Sequence, residues 1–595
     1  MVSTTSSWWR TDAAAWSARG WTLEVRGDEL ADISFNERVL LRAVRAAVRD
    51  RGWQTVPVTV QSMSASDSTL VLTLRHEGLG AQIDSTLRVA ATSEALTVSW
   101  DAENGDAFDT CRTGLVVLHP AEDAGREAVV EHQDGSSEQV AFPREISPHQ
   151  PIMDIRSLRV DGAFSLEFAG DVFEMEDQRN WTDASFKTYS RPLGLPYPYV
   201  LDAGEHVRQS VTIRVLGDGT SAVLGAEALT LVEAGAFPAI GVEASTAPDP
   251  VPASTAGAFR VVELDLRTPN WRAALERAAA DGVALDVRLV TDGDTAMLVE
   301  AARAIAHHAN GAGARSGAAG AGWATAPARA VGAPGVLRVT AFDAVEHMSD
   351  EGVVEALRRA LESVDLVVPV LAGARSHFTE LNRERARIAR DVDGITVNTT
   401  PLFHTLDTEQ LVEAVAMQRL IAEQAVSIAD GLPVHVGPVS LRPRFNNVAT
   451  TPEPAPTKED LSEGYGAQFT GAANDRQGAR ELGAWVIASA AALAVPGVAS
   501  LSWFETWGPR GLASEAGRTP AAEAIDALAA LAGGTLLSSA SPDGLVWAVG
   551  SRTDAEDTVL VANLDRADRS VMIEGLGAIS LDPGGWRSVT RPSAR

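Results

Sequence analysis

The chain has 595 residues, 45% of them hydrophobic and 22% charged, enough apolar material for three or four cores rather than one. Lys and Arg number 50 against 79 Asp and Glu, a net charge of −29. That balance speaks against a nucleic-acid binder, whose phosphate-facing surface must be basic, and against adsorption to an anionic membrane. Cys111 is the single cysteine, so neither a disulfide framework nor a cysteine-based zinc cluster is expected.

The opening run MVSTTSSWWRTDAAAWSARG has no basic segment followed by an apolar one, so no signal peptide is expected and the protein is read as cytoplasmic. Residues 1–220 read as an antiparallel β-sandwich: β-rich runs such as WTLEV, TLVLTL, STLRVA, ALTVSW, GLVVLH and SVTIRVL are separated by turn clusters such as SASDS and ENGDA. The run ERVLLRAVRAAVRDRGW fits a helical period as well as a strand and stays ambiguous.

Residues 235–530 alternate apolar strand and helix. Eight strands are predicted: 237–243, 259–266, 284–290, 336–342, 364–371, 394–400, 433–438 and 497–504. Eight near-continuous apolar strands with helices between most of them predict a (β/α)₈ TIM barrel. The rival is a doubly wound open sheet, but no Gly-rich phosphate loop follows the first strand. Gly311–Gly335 reads as a flexible insertion, and Thr450–Thr470 as a long loop of the length that functional lids have. Gly483–Phe504 carries no charge, yet Pro496-Gly497 breaks it, and it reads as a buried helix running into a buried strand rather than a membrane span. Residues 533–595 return to short strands, a small C-terminal β domain. The predicted whole is a multidomain α/β plus β protein, a TIM barrel flanked by two β domains.

Barrel enzymes build their sites at the C-terminal ends of the strands. The polar residues there are Glu243, Asp265, Arg267, Asp343, His377, Glu380, Asn382, Asn398, His404, Asp407, Arg442, Arg444, Asn446, Glu505, Trp507 and Arg510. Glu380 after the fifth strand and Glu505 at the tip of the eighth form a carboxylate pair three strands apart, as in retaining glycosidase barrels. Such a pair divides acid and base roles when burial raises one pKa and a cation lowers the other, and Arg442 or Arg444 supplies the cation. Trp503 and Trp507, flanking Glu505, would form a stacking platform for a sugar. In the first domain, FEMEDQRNWTDASFKTYSRPL (173–193) crowds Glu174, Glu176, Asp177, Arg179, Asp183 and Lys187 around Trp181 and Tyr189. Strict alternation would put Glu174, Glu176 and Gln178 on one face, which is costly under cover unless they meet partners or a site. His149, His377, His404 and His435 lack the spacing of a zinc site, and GxSxG, P-loop and dinucleotide motifs are absent, so no metal or cofactor is expected.

VLLRAVRAAVRDRGWQT, GLVVLHP, FPREISPHQP and FEMEDQRNWTDASFKTY, followed by HFTELNRER, PLFHTLD, VSLRPRFNNVAT, NDRQGARELGAW and SWFETWGPRG, resemble the bacterial D-apionate lactonases over nearly the whole chain. The sequence departs from that family in its Gly/Ala-rich insertion and its tryptophan-rich SLSWFETW. The resemblance implies hydrolysis of D-apionolactone, or a related sugar lactone, to the open acid. On that reading Glu505 is the general base and Glu380 the general acid. Arg442 or Arg444 with Asn446 faces the oxyanion, while Glu176, Asp177 and Lys187 cap the pocket. Asn382, His404 and Trp507 complete the substrate contacts. The alternative is a retaining glycosidase with Glu380 as acid/base and Glu505 as nucleophile, which requires their carboxyls about 5–5.5 Å apart. Against it, Thr379 stands where such barrels carry Asn before the acid/base Glu. A non-catalytic sugar-binding barrel is a third reading.

Overall fold

A computed structural model describes residues 8–9, 13–217, 228–311, 335–448, 454–466 and 472–593. The Gly/Ala-rich stretch falls almost wholly outside the described residues, as do the two ends of the 450–470 loop.

The first domain is two antiparallel sheets of nine strands each. Alternate residues of both, among them Val44, Val48, Leu115, Phe173, Phe186, Leu72, Leu87, Val98 and Ile213, interlock in one core. The ambiguous run is a strand, Arg38–Asp50, paired with Glu29–Phe35 on one side and Phe108–Pro120 on the other. Both edges of its backbone are satisfied by neighbours, and this long-range pairing overrides the helical period. Its arginines then point away from the sandwich core. Arg42 Nε donates to Glu413 Oε2 at 2.7 Å, on the barrel helix Thr408–Ala429.

All eight predicted barrel strands form and close: Ala239–Glu243, Phe259–Asp265, Ala284–Thr291, Val336–Asp343, Val370–Gly373, Gly394–Val397, Val434–Val439 and Val498–Glu505. The fifth starts later than expected because Pro369 has no N–H to give a ladder, and Val367 stands exposed. Gly373 ends that strand at φ 143°, and a Cβ there would meet the Thr396 carbonyl at 1.9 Å. Only glycine permits this approach of the fifth strand to the sixth. The uncharged 483–504 run is, as expected, a buried helix (Leu482–Leu493) followed by the eighth strand. No helix among the described residues is long and apolar enough to cross a membrane.

Near the C-terminus, five- and three-stranded sheets form. Each recruits a strand from the segment preceding the barrel: Val232–Ala236 pairs with Thr535–Ala540, and Ala228–Leu229 with Arg569–Ile573.

Candidate active site

The barrel interior is layered with charge rather than filled with branched aliphatic side chains. In the lower layer Asp286 Oδ2 accepts from Arg338 Nε at 2.8 Å and Arg288 Nη2 at 3.3 Å, while Ser500 Oγ bridges Arg338 and His435. One residue pair higher, Glu263 is registered beside Arg288.

The mouth above holds three carboxylates among three arginines. Arg444 Nη1 donates to Glu243 Oε1 at 2.7 Å and Nη2 to Glu263 Oε2 at 3.2 Å, and Arg375 Nη2 donates to Glu263 Oε1 at 2.8 Å. Glu505 Oε1 takes Arg510 at 2.7 Å and the Thr246 hydroxyl at 2.9 Å, and its Oε2 takes the Thr246 N–H. Glu243 and Glu505 are register partners across the seam where the eighth strand meets the first. A bulge makes them so: Val242 pairs with Trp503, Phe504 is the extra residue at φ 45°, and Glu505 then falls opposite Glu243. A phenylalanine in left-handed backbone costs about 1–3 kcal/mol, a cost that clusters at functional sites.

These carboxylates are tuned apart. Burial raises Glu243 to about 7, the charge of Glu505 adds to the rise, and Arg444 and Arg510 oppose it. Burial would raise Glu263 as well, but Arg375 and Arg444, with Arg288 behind, bring it down to about 2. His347 and His377 border the mouth, both held neutral by burial at about 4 and about 3.

The first domain roofs this mouth. Its sheet turns Glu174, Glu176, Lys187 and Tyr189 away from the sandwich core, and a short turn, Gln178–Trp181, projects from it. Trp181 stacks on Phe403 with centroids 4.5 Å apart and packs edge-on against His377 and His404. Asp183 Oδ2 meets His404 Nδ1 at 2.7 Å, and the hydroxyls of Thr182 and Thr399 bond. Lys187 Nζ lies 2.5 Å from Glu176 Oε2, and Trp181 Nε1 donates to Oε1 of the same carboxylate. Burial works to raise Glu176, but Lys187, His404 and Arg383 outweigh it and bring it down to about 2.

Several expected site residues are placed elsewhere. Asp177 is fully buried, its oxygens taken by Arg179 and the Ser147 N–H, so it shapes the turn rather than facing a ligand. Asn382, also fully buried, donates to Ile146 O and Asn180 Oδ1 and accepts from Gln424. It staples the first domain to the barrel, and removing it would strand buried polar groups at about 1–3 kcal/mol. Asn446 reaches the Gly52 carbonyl of the first domain, and Arg442 the Ala473 carbonyl, so of the two arginines only Arg444 joins the mouth carboxylates. Gln178 leaves the strand for the turn and does not share the face of Glu174 and Glu176. Trp503 is buried outward, its Nε1 on Ser489 Oγ, and forms no sugar platform, whereas Trp507 is half-buried at the rim. The oxygens of Glu380 take the His377 N–H at 3.0 Å and Asn447 Nδ2 at 2.6 Å, and burial raises its pKa. The partner of Glu505 is Glu243. Among the described residues, no group of three or more His, Cys, Asp and Glu is arranged to hold a metal ion.

Profiles described as the N-terminal domain and the TIM barrel domain of D-apionate lactonase match residues 2–218 and 242–533. The chain belongs to the D-apionate lactonase family. A D-apionate lactonase of Brucella anthropi is 27% identical over 617 aligned positions, covering 96% of this chain and 95% of that one. Among solved structures, a GH36 α-galactosidase from Geobacillus stearothermophilus aligns over 97% of this chain and 99% of its own, at 10% identity and a TM-score of 0.26. A conserved exported protein from Bacteroides fragilis aligns over 61% of this chain and all of its own, at 7% identity and a TM-score of 0.39. Likeness at these scores supports no conclusion about fold or activity.

In this member of the D-apionate lactonase family, sequence reasoning missed Glu263 and Arg375 as parts of the mouth, and Asn447 as the partner of Glu380. Glu263 lies two residues inside its strand in FRVVELD, and only the inward alternation from Val261 marks it. Arg375 follows Gly373, and that glycine was its available signal.

Proposed function

We propose that this protein opens a sugar lactone by hydrolysis, D-apionolactone to D-apionate in the breakdown of apiose being the reaction that the family relationship favours. The observation that carries the reading is the mouth itself, three carboxylates, two of them buried and Glu263 part-buried, interleaved with three arginines under a polar roof. Lactone opening needs a group to take a proton from water, donors for the tetrahedral oxyanion, and a proton for the leaving ring oxygen. Arg444 and Arg375 supply fixed cationic donors for the oxyanion, and the mouth carboxylates supply the proton chemistry. Lys187, Glu176 and the rim of Trp181 supply donors, acceptors and an apolar edge for the hydroxyls and ring of a small sugar. A metal is not needed by this scheme, since charge and proton transfer are both provided by side chains.

The test is acid release at constant pH with purified protein and a panel of aldonolactones that includes D-apionolactone, run beside nitrophenyl glycosides. Acid release from D-apionolactone is expected. Silence on every lactone together with nitrophenol release from a glycoside would overturn the reading in favour of glycosidase chemistry.

A further inference from the structure

We propose that Glu243 is the proton shuttle of this reaction and that Glu505, beside it, is a fixed anion that tunes it. The inference rests on the lactonase reading and goes beyond it by naming which carboxylate moves the proton. The two groups are sequence-distant neighbours, 3–4% exposed, brought into register by the bulge at Phe504. Their surroundings differ. Both oxygens of Glu505 are occupied, by the Thr246 N–H, the Thr246 hydroxyl and Arg510. Glu243 spends only Oε1, on Arg444, and no hydrogen bond reaches its Oε2 from the described residues. A proton taken from water needs a carboxylate oxygen that is not already accepting, which Glu243 offers at Oε2 and Glu505 does not. The charged groups facing Glu243 are Arg444 from the loop after the seventh strand, Glu505 from the eighth, Arg510 beyond it and Glu263 from the second. Two anions and two cations act in opposite directions, and burial, the largest influence, favours the neutral acid.

The chemistry balances on one group. Glu243 Oε2 accepts a proton from water as the water oxygen bonds to the lactone carbonyl carbon, and the carbonyl electron pair moves onto the oxygen facing Arg444. The tetrahedral centre then collapses. The carbonyl re-forms, the ring carbon–oxygen bond breaks, and Glu243 gives that same proton to the leaving oxygen. The product acid ionises to solvent and Glu243 is again a carboxylate. A shuttle with a pKa near the working pH serves both halves.

Two variants decide it, each assayed as a full pH profile on the lactone the wild type opens. Glu243→Gln should lower kcat by about 10²–10⁴-fold at every pH. Glu505→Gln should keep turning over while the acidic limb of its profile moves to lower pH by roughly one unit, because removing a like charge lowers the pKa of Glu243. An active Glu243→Gln enzyme overturns the inference, and so does a Glu505→Gln enzyme inactive at every pH, which would make Glu505 the base. A wild type inert on all lactones fails at the earlier step, sinks the lactonase reading, and takes the inference with it. Folding is checked independently. Glu243 has a folded pKa above its unfolded one, so its stabilising contribution is full below about pH 4.5 and is lost as pH rises towards 7. Glu243→Gln should therefore unfold at pH 8 no earlier than wild type. Should that variant fail to fold, the displaced limb of Glu505→Gln remains the deciding readout.

Discussion

The lower and upper layers of this barrel are made of the same materials and do different work. Below, one carboxylate, Asp286, lies between two arginines with Ser500 and His435 completing the set, and all are buried. Burial alone would raise Asp286, but Arg338 and Arg288 bring it down to about 2, and burial drives His435 well below its ordinary value. Near neutral pH no proton is exchanged there. Above, three carboxylates share three arginines, and one of them, Glu243, is pushed up into the neutral range by burial beside Glu505. The lesson is that buried charge becomes reactive when its compensation is unequal. A cluster with cations to spare is structure, and a cluster with one carboxylate under-compensated can hold and release a proton.

That contrast can be broken from either side. The largest effect is expected at the floor: Asp286→Asn leaves Arg338 buried without a counter-charge and Arg288 with Glu263 alone, and such a loss costs about 3–5 kcal/mol. Denaturant titration should show that destabilisation, while the kcat of the protein that still folds stays close to wild type. At the mouth, Arg444→Met removes the cation shared by Glu243 and Glu263. It should lower kcat by about 10²–10³-fold, the usual loss on removing an oxyanion donor. The acidic limb of its pH profile should move to higher pH, opposite in sign to Glu505→Gln, because Arg444 now holds Glu243 down. The smallest effect belongs to the roof. Lys187→Met should raise KM about tenfold with kcat little changed, the signature of lost uniform binding. A fall in kcat with KM unchanged would put Lys187 in the chemistry instead.

The barrel was legible because the outward faces of its strands are apolar against the helices and recur between helical patterns, and Glu505 because an uncharged segment leads directly to it. The working pair was not. Glu243 and Glu505 are neighbours only once the first strand closes on the eighth, and only because Phe504 is the extra residue of a bulge. Sequence spacing pointed to Glu380, whose strand-end position is right but whose oxygens are taken by His377 and Asn447. The 173–193 block was legible as unusual through its density of charge, and its two halves divide by face. Glu176 and Lys187 turn towards the barrel, while Asp177 and Arg179 close on each other. The strand Arg38–Asp50 misled because its arginines, at spacings of three and four, imitate a helix. Their partners, Glu413 on a barrel helix and Asp28 on a neighbouring turn, are invisible to a local reading.

The most direct test of unequal compensation is to look for the proton itself. Infrared difference spectra of the wild-type protein, titrated from pH 5 to 9, should contain a buried protonated-carboxyl band that disappears around neutral pH. This band should be missing from Glu243→Gln and should move to lower pH in Glu505→Gln. A band unchanged in Glu243→Gln, or no titrating carboxyl in the wild type, would contradict unequal compensation.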